Sequence, residues 1–203
     1  MIYSTPKKHI VLASASPRRR EILSGMGASF TVVCADTDES SDSVSPEELT
    51  MELARRKGQA VLELLRSRDE DGGAIIISAD TVVACGGEIL GKPADRQDAK
   101  RMLNMLSGST HTVTTGIAVT NNGITVTDCS VTRVHVDTIP PAELEKYLDS
   151  AEPYDKAGAY GIQGRFSQWV KGIDGCYFGV VGLPVNRLSA LFYKCVGCYP
   201  DEI

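Results

Sequence analysis

The apolar residues in the first third of the chain follow two spacings, one typical of strands and one typical of helices. Residues 9–13 form a short apolar run of the kind that builds a buried strand, and Ser16 with Pro17 then marks the start of a helix. A longer helix is predicted from Pro46 to about Arg66 by an apolar stripe at helical spacing. Strands and helices that alternate in this way are typical of a sheet covered by helices.

Further strands are predicted in the middle of the chain, and polar residues interrupt one of them. Residues 74–85 are mostly β-branched and apolar, but Asp80 is expected either to break the strand at a turn or to lie at a strand end beside a partner. Two alternating runs around Asn122-Gly123 predict a hairpin. Further helices are predicted over 95–106 and 184–196. Together these elements predict an α/β fold with a mixed central β-sheet flanked by helices.

Length and composition indicate a single globular domain that spans residues 1–203. Hydrophobic residues make up 42% of the chain and charged residues 23%, which excludes wholesale disorder. A formal net charge of −5 argues against a nucleic-acid binder that works by neutralising phosphates. The charge therefore predicts no nucleic-acid partner. No membrane is expected as a partner either, because no apolar run is long enough for a transmembrane helix.

The six cysteines do not form a recognisable metal or disulfide pattern. Cys195 and Cys198 make a C-x-x-C pair, but no second pair completes a zinc site. The pair lies at the end of the chain rather than at a helix start after a strand, so ordinary thiols are favoured over a redox centre. Cysteines in apolar or strand-like surroundings indicate an intracellular protein, with the cytoplasm as its expected location.

The junction between the first strand and the first helix is a candidate anion site. Ser14 and Ser16 offer hydroxyl groups there, and Arg18 and Arg19 offer forked cationic donors that suit phosphate oxygens. Arginines at a helix start oppose the helix dipole, which costs stability unless an anion is present. On spacing alone, a basic surface turn explains the same residues about equally well.

Asp80 is the second candidate, because ligands bind at strand ends in α/β sheets. Lys92 could approach the same place, although an exposed loop lysine is the commoner case. Lys57 falls on the apolar stripe of the long helix, which argues against a solvated surface charge. Most carboxylates of the acidic stretch that contains Asp38 and Glu39 are expected to face water, but one or two beside a phosphate pocket would suit Mg²⁺.

A glycine-rich segment is the third candidate. Gly158, Gly161 and Gly164 follow one another at three-residue spacing, which differs from the glycine pattern of a dinucleotide fold. Tight turns are the default interpretation. Gln163 could also use its amide as both donor and acceptor toward a base edge, and composition does not decide between the two.

Taken together, these motifs resemble the Maf family of nucleotide pyrophosphatases over nearly the whole chain. The matching segments are Leu12-Ala-Ser-x-Ser-Pro-Arg-Arg19, Asp38-Glu39, Ala54-Arg-x-Lys57, Ala79-Asp-Thr-Val-Val83, Gly91-Lys-Pro93, Met102-Leu-x-x-Leu-Ser-Gly108, Glu152-Pro-x-Asp-Lys-Ala-Gly-Ala-Tyr-Gly-Ile-Gln-Gly164 and Val181-Gly-Leu-Pro184. So many ordered motifs make the resemblance highly specific and favour function over a surface turn.

The resemblance implies hydrolysis of a nucleoside triphosphate between its α and β phosphorus atoms, in a homodimer whose α/β fold has a cleft between two lobes. Asp80 would accept the proton of the attacking water, and Glu39 would help Asp80 to hold Mg²⁺ or Mn²⁺. The phosphate-binding set would be Ser14, Ser16, Arg19, Lys57 and Lys92. Charge stabilisation of this kind is what phosphoryl transfer requires.

Three residues point to one branch of the family. Arg18, Thr81 and Gln163 match the branch that resembles dTTP and UTP pyrophosphatases, whereas the branch directed at 7-methylguanosine triphosphate carries Trp, Gln and Glu there. A neutral amide can accept from N3–H of a pyrimidine and donate to O4, although an amide could also read adenine. The rival hypothesis is a nucleotide-binding regulatory module, linked to cell division, that does not turn nucleotide over.

Overall fold

The computed structural model of the protein describes residues 8–41, 43 and 45–203. Within them, the strands are β1 (His9–Leu12), β2 (Phe30–Val32), β3 (Ala74–Cys85), β4 (Glu88–Leu90), β5 (Thr110–Asn121), β6 (Ile124–Val136) and β7 (Val170–Asp174). The α-helices are α1 (Pro17–Gly25), α2 (Pro46–Ser67), α3 (Arg96–Leu106), α4 (Pro141–Leu148), α5 (Tyr177–Val181) and α6 (Val185–Val196). Short 3-10 helices lie at Glu152–Asp155, Ala157–Ala159, Arg165–Trp169 and Pro200–Glu202.

The strands form one mixed sheet in the order β2-β1-β3-β5-β6-β7, with β4 paired to β3 beside this path. β1 runs parallel to β2 and to β3. The pairs β3–β5, β5–β6 and β6–β7 are antiparallel. The prediction of an α/β fold with a mixed central sheet and flanking helices is therefore confirmed.

The two faces of the sheet carry separate apolar layers, because successive side chains of a strand point to opposite faces. On one face, Val11 and Ile76 pack with Val61 of α2. On the other face, Ile75 belongs to a larger core that includes Phe192 of α6 and side chains of α1, α3, α4 and α5. Asp80 lies four residues after Ile76 on β3, so the two side chains point to the same face of the sheet. This is the face that α2 covers.

The first three helices begin within one residue of the positions that the sequence predicts. Ser45 precedes α2, and its Oγ accepts a hydrogen bond from the backbone N–H of Glu48 at 3.4 Å. Asp95 caps α3 in the same way. Pro46 stands at the first position of α2, where its missing N–H costs nothing. No helix in the described part of the chain is long and apolar enough to cross a membrane.

β3 is one continuous strand, so the interruption expected around Asp80 is wrong. β5 pairs with β3 along almost its whole length, and this ladder holds the backbone extended through the polar residues. The opposite edge of β3 is only partly covered, since the pairing with β1 ends at Ile77 and the pairing with β4 begins at Val83. Residues 78–82, called the edge gap below, have no strand partner on that edge among the described residues.

The hairpin between β5 and β6 is confirmed. Asn122 and Gly123 form its turn with φ values of 51° and 79°, the positive values that a two-residue turn of this kind requires. The glycine-rich region contains more regular structure than a series of turns, because β7, α5 and three of the 3-10 helices lie between residues 152 and 181. Each of these elements is at most five residues long, which is too short for periodicity to reveal.

Candidate functional site

Two carboxylates and one ammonium meet at the edge gap. Nζ of Lys57 donates to Oδ1 of Asp80 at 2.6 Å and lies 2.8 Å from Oε1 of Glu39. The side chains of Lys57 and Asp80 are 20% and 12% exposed, whereas that of Glu39 is 63% exposed. One cation therefore holds together two carboxylates that are distant in the sequence, one of them well buried and one facing solvent.

Small residues allow α2 to approach the sheet at this point. Ser78 lies on the same face of β3 as Asp80, and its Oγ donates to a backbone carbonyl of α2 at 2.7 Å. A Cβ at Gly58 of α2 would lie 2.9 Å from that same Oγ. Gly116, which pairs with Asp80 across the β3–β5 ladder, has no room for a Cβ because the backbone of Thr50 occupies that space. The site lysine reaches the edge gap because α2 lies directly on these residues.

α1 places Arg19 at the same gap. Its Nε donates to the carbonyl of Gly182 at 2.8 Å, its Nη1 to Oγ of Ser14 at 3.2 Å, and its Nη2 to Oγ1 of Thr81 at 3.0 Å. These contacts use three of the five N–H groups that a guanidinium carries. Two N–H groups and the positive charge are therefore left for a ligand, while the side chain is held in one orientation.

The charges of the site influence one another's ionisation. Burial lowers the pKa of Arg19, whereas the neighbouring charges of Asp80 and Glu39 favour its protonated form. The hydrogen bond from Lys57 is the main cause of the lowered pKa of Glu39, and the charges of Lys92 and Arg19 act in the same direction. Glu39 is therefore held as a carboxylate, and three cations act on it together.

The N-terminus of α1 is open to a ligand. Ser16 occupies the N-cap position as predicted, but its side chain makes no capping hydrogen bond. Oγ of Ser14 accepts the backbone N–H of Ser16 at 3.3 Å. The first turn of α1 contains no acidic residue. Backbone N–H groups and the positive end of the helix dipole can thus stabilise an anion there.

Gln163 lies away from these contacts, in a tight turn of the glycine-rich segment. It is exposed, and its side chain makes no hydrogen bond to the described residues. The backbone N–H of Gly164 donates to the carbonyl of Gly161 at 3.1 Å and closes the turn. The start of the segment is tied to the end of β4, since the N–H of Gly158 donates to the carbonyl of Gly91 at 3.0 Å.

Lys92 and Arg18 approach the site through their charges. Lys92 is exposed and makes no hydrogen bond to the described residues, but its charge contributes to the lowered pKa of Glu39. Burial is the main cause of the lowered pKa of Arg19, and the charge of Arg18 acts in the same direction. Of the predicted residues, direct contacts join Ser14, Ser16, Arg19 and Thr81 in one group and Glu39, Lys57 and Asp80 in another. The charges of Asp80 and Glu39, which act on Arg19, connect the two groups.

Glu152 organises the turn that carries Gln163, a role that the sequence analysis missed. Its Oε1 accepts the hydroxyl of Tyr147 at 3.0 Å, and its Oε2 accepts the backbone N–H of Arg165 at 2.9 Å. A Cβ at Gly164 would overlap this carboxylate, so any other residue there would displace the side chain of Glu152. The quoted motif contains both Glu152 and Gly164, but no local periodicity pairs them.

The redox alternative gains no support from the structure. Cys195 and Cys198 are both free thiols on either side of the end of α6. Burial raises the pKa of Cys195, whereas a reactive thiol needs a lowered pKa.

Comparison with known proteins agrees with this geometry. Residues 9–195 match the family model described as "Maf-like protein". The chain belongs to this family. The resemblance inferred from the ordered motifs is thus confirmed.

Curated relatives of this Maf-like chain carry the name that its three branch residues favoured. The dTTP/UTP pyrophosphatase of Pelotomaculum thermopropionicum is 44% identical over 190 residues, which cover 92% of this chain and 96% of the relative. The dTTP/UTP pyrophosphatase of Agathobacter rectalis is 44% identical over 191 residues, with 88% and 93% covered. A solved HAM1 protein from Coxiella burnetii matches 66% of this chain and 75% of its own at 15% identity, and its TM-score of 0.43 is too low to support an argument.

Proposed function

We propose that this Maf-like protein hydrolyses dTTP and UTP between the α and β phosphorus atoms, which releases the nucleoside monophosphate and pyrophosphate. One observation carries the proposal: Lys57 holds Asp80 and Glu39 together beside Arg19, at the open N-terminus of α1. A carboxylate that can take a proton and cations that can bind phosphates thus lie in one place. The names of the relatives support the choice of dTTP and UTP.

The triphosphate binds where donors are left free. The hydroxyl of Ser14 accepts two hydrogen bonds, from Ser16 N–H and from Arg19, and its own proton bonds to none of the described residues. That proton, the two spare N–H groups of Arg19 and the N–H groups of the first turn of α1 are all donors suited to phosphate oxygens. Lys57 and the more exposed Lys92 add positive charge, which stabilises the charge that builds up during phosphoryl transfer.

Asp80 activates the water. Its Oδ1 is held by Lys57, while its Oδ2 makes no hydrogen bond to the described residues. Oδ2 accepts a proton from water as the water oxygen attacks the α phosphorus, and the bond from that phosphorus to the bridging oxygen breaks. The bridging oxygen leaves with pyrophosphate, whose charge the arginine and lysine side chains stabilise.

A divalent cation fits the oxygen donors at the gap. No group of three His, Cys, Asp or Glu side chains able to hold a metal occurs among residues 8–41, 43 and 45–203. Mg²⁺, however, usually takes only one or two carboxylates together with water and substrate phosphates. Glu39 and Asp80, which both reach the same ammonium, would hold Mg²⁺ or Mn²⁺ in this way, and the ion would neutralise phosphate charge. Gln163 and Arg18 are proposed to select the base.

The decisive experiment measures pyrophosphate and monophosphate released from a panel of nucleoside triphosphates, with Mg²⁺, with Mn²⁺ and with chelator. Release should be strongest from dTTP and UTP and absent with chelator. Asp80→Asn should retain nucleotide binding and lose most turnover, because the water has lost its base. Asp137→Asn, at an exposed carboxylate just after β6, is the matched control and should behave like the wild type.

Three results would contradict the proposal. Full turnover by Asp80→Asn would remove that residue from the reaction. Orthophosphate in place of pyrophosphate would mean that a different bond is cleaved. Nucleotide binding without turnover would instead support the regulatory module. Homodimer formation, which the family resemblance implies, stays a prediction. So does a cytoplasmic location, which the cysteines indicate.

A further inference from the structure

A chain of hydrogen bonds links Arg19 to a buried threonine of β5 and to α5. Nη2 of Arg19 donates to Oγ1 of Thr81, which lies 2.8 Å from Oγ1 of Thr115 on β5. Thr115 is fully buried, pairs with Thr81 across the ladder and donates to the carbonyl of Gly179 at 2.8 Å. The chain therefore runs without a break from the site guanidinium to the backbone of α5.

The direction of every proton in this chain is fixed. A hydroxyl has one proton and two lone pairs, and a carbonyl can only accept. Thr115 must give its proton to the carbonyl of Gly179, so the hydrogen bond between the two threonines is donated by Thr81. Arg19 in turn can only donate to Thr81. The proton of Thr81 is thus committed to Thr115, away from the gap.

We infer that Thr115 is a positioning residue for Arg19, and that it acts through Thr81, which holds the guanidinium. The inference deepens the proposed function and rests on it. Thr81 keeps one lone pair and no proton, so it has nothing to donate to a phosphate oxygen or to a pyrimidine carbonyl. Ser14 is its counterpart, since both of its lone pairs are used and its proton is free.

This inference adds a role to Thr81. The family resemblance suggests that Thr81 selects the base, and the hydrogen bonds show that it also orients Arg19, which is proposed to bind phosphate. Replacement of Thr115 should then weaken the binding of all nucleoside triphosphates by a similar factor. The effect should appear mainly in KM and in affinity for pyrophosphate, because Asp80 and Lys57 lie on the other face of β3 and keep their contact.

The test uses Thr115→Val, which keeps the shape and removes the hydroxyl, and Thr115→Ser, which keeps the hydroxyl. Thr120→Val is the matched control, since it breaks a threonine pair of the same 2.8 Å length farther along β5. Thr115→Val should lower kcat/KM for dTTP about three- to tenfold, the effect of one lost hydrogen bond. Thr115→Ser and Thr120→Val should stay close to the wild type. Pyrophosphate affinity by calorimetry should follow the same order.

A double-mutant cycle decides whether Thr115 acts through Thr81. If it does, Thr81→Val and Thr81→Val/Thr115→Val should lose activity equally, because the second change removes a link that is already broken. Independent, multiplied effects would overturn the inference. So would a Thr115→Ser variant as poor as Thr115→Val, or a Thr81→Val variant whose preference between dTTP and dATP changes while pyrophosphate affinity does not.

Two measurements separate this inference from the proposed function. Turnover of dTTP by the wild-type protein tests the function alone. Pyrophosphate calorimetry tests the hydrogen-bond chain even when turnover is absent. Thermal unfolding shows which variants are folded, and Thr81→Val reports on the chain if Thr115→Val does not fold. Unchanged pyrophosphate affinity in every folded variant of the two threonines would refute the chain.

Discussion

A buried histidine should make the stability of this protein depend on pH. His111 on β5 is only 2% exposed. Its Nε2 lies 2.7 Å from the hydroxyl of Tyr160, and its Nδ1 has no hydrogen-bond partner within the described structure. Burial, assisted by the charge of His135, lowers the pKa of His111 from 6.5 to about 4. The folded protein therefore keeps the ring neutral at pH values where the unfolded chain already binds a proton.

The size of the effect follows from the pKa difference. Each pKa unit corresponds to about 1.4 kcal/mol, so the full difference amounts to roughly 3 kcal/mol. The unfolded state binds the proton first as the pH falls, so the free energy of unfolding decreases below pH 6.5 and levels off near pH 4. Between about pH 7.5 and about pH 5, the contribution of His111 should fall by about 2 kcal/mol. From about pH 7.5 upward the contribution is nearly complete.

Urea unfolding at these two pH values measures the effect. His111→Leu/Tyr160→Phe removes both polar partners together, so that neither is left buried and unsatisfied. From the higher to the lower pH, the free energy of unfolding of the double variant should fall by about 2 kcal/mol less than that of the wild type. His9→Gln, a histidine exchange on β1, should keep the wild-type difference. The reasoning is refuted if the double variant and the wild type respond equally to pH.

Two further substitutions test the packing of α2 and the proposed contact of Gln163 with the base. Gly116→Ala should lower the free energy of unfolding by at least about 1–3 kcal/mol, because the new Cβ would overlap the backbone of Thr50. Gly172→Ala is the control, since a Cβ there meets nothing within 4 Å, and it should lower the free energy of unfolding much less in the same urea titration. Equal losses in the two variants would contradict this packing. Gln163→Glu should reduce kcat/KM for dTTP and UTP relative to dATP, because the donor for O4 is lost. Gln168→Glu, an exposed glutamine of the same region, is its control, and unchanged selectivity would count against base reading.

Elements with strong local signals could be predicted from the sequence. Ser45 and the proline after it fix the start of α2, and an apolar stripe carries that helix to within one residue of its end at Ser67. Asn122 and Gly123 fix the hairpin because few other residues accept two successive positive φ values. In each case the information lies within a few residues, where a linear pattern is informative.

β3 shows why other features could not be predicted. Ser78 and Asp80 look like a break in an apolar strand, but their partners come from elsewhere in the chain. A backbone carbonyl of α2 accepts from Ser78, and Lys57 pairs with Asp80. Polar residues tolerate burial when such partners exist, and nothing near them in the sequence announces which partners those are. Thr115 was missed for the same reason, because one threonine in an alternating strand carries no signal.

The lengths of two short strands explain the position of the site better than any single motif does. The pairing of β1 with β3 ends at Ile77, and the pairing of β4 with β3 begins at Val83, so the backbone edge of β3 between these two residues stays open. The chain that leaves β1 supplies Ser14 and then α1, and the chain that leaves β4 supplies Lys92. A longer β1 would pair with the gap and displace the start of α1 from it. The strand ends therefore place the groups that are proposed to bind phosphate around Asp80, at an open edge where a ligand can reach the sheet.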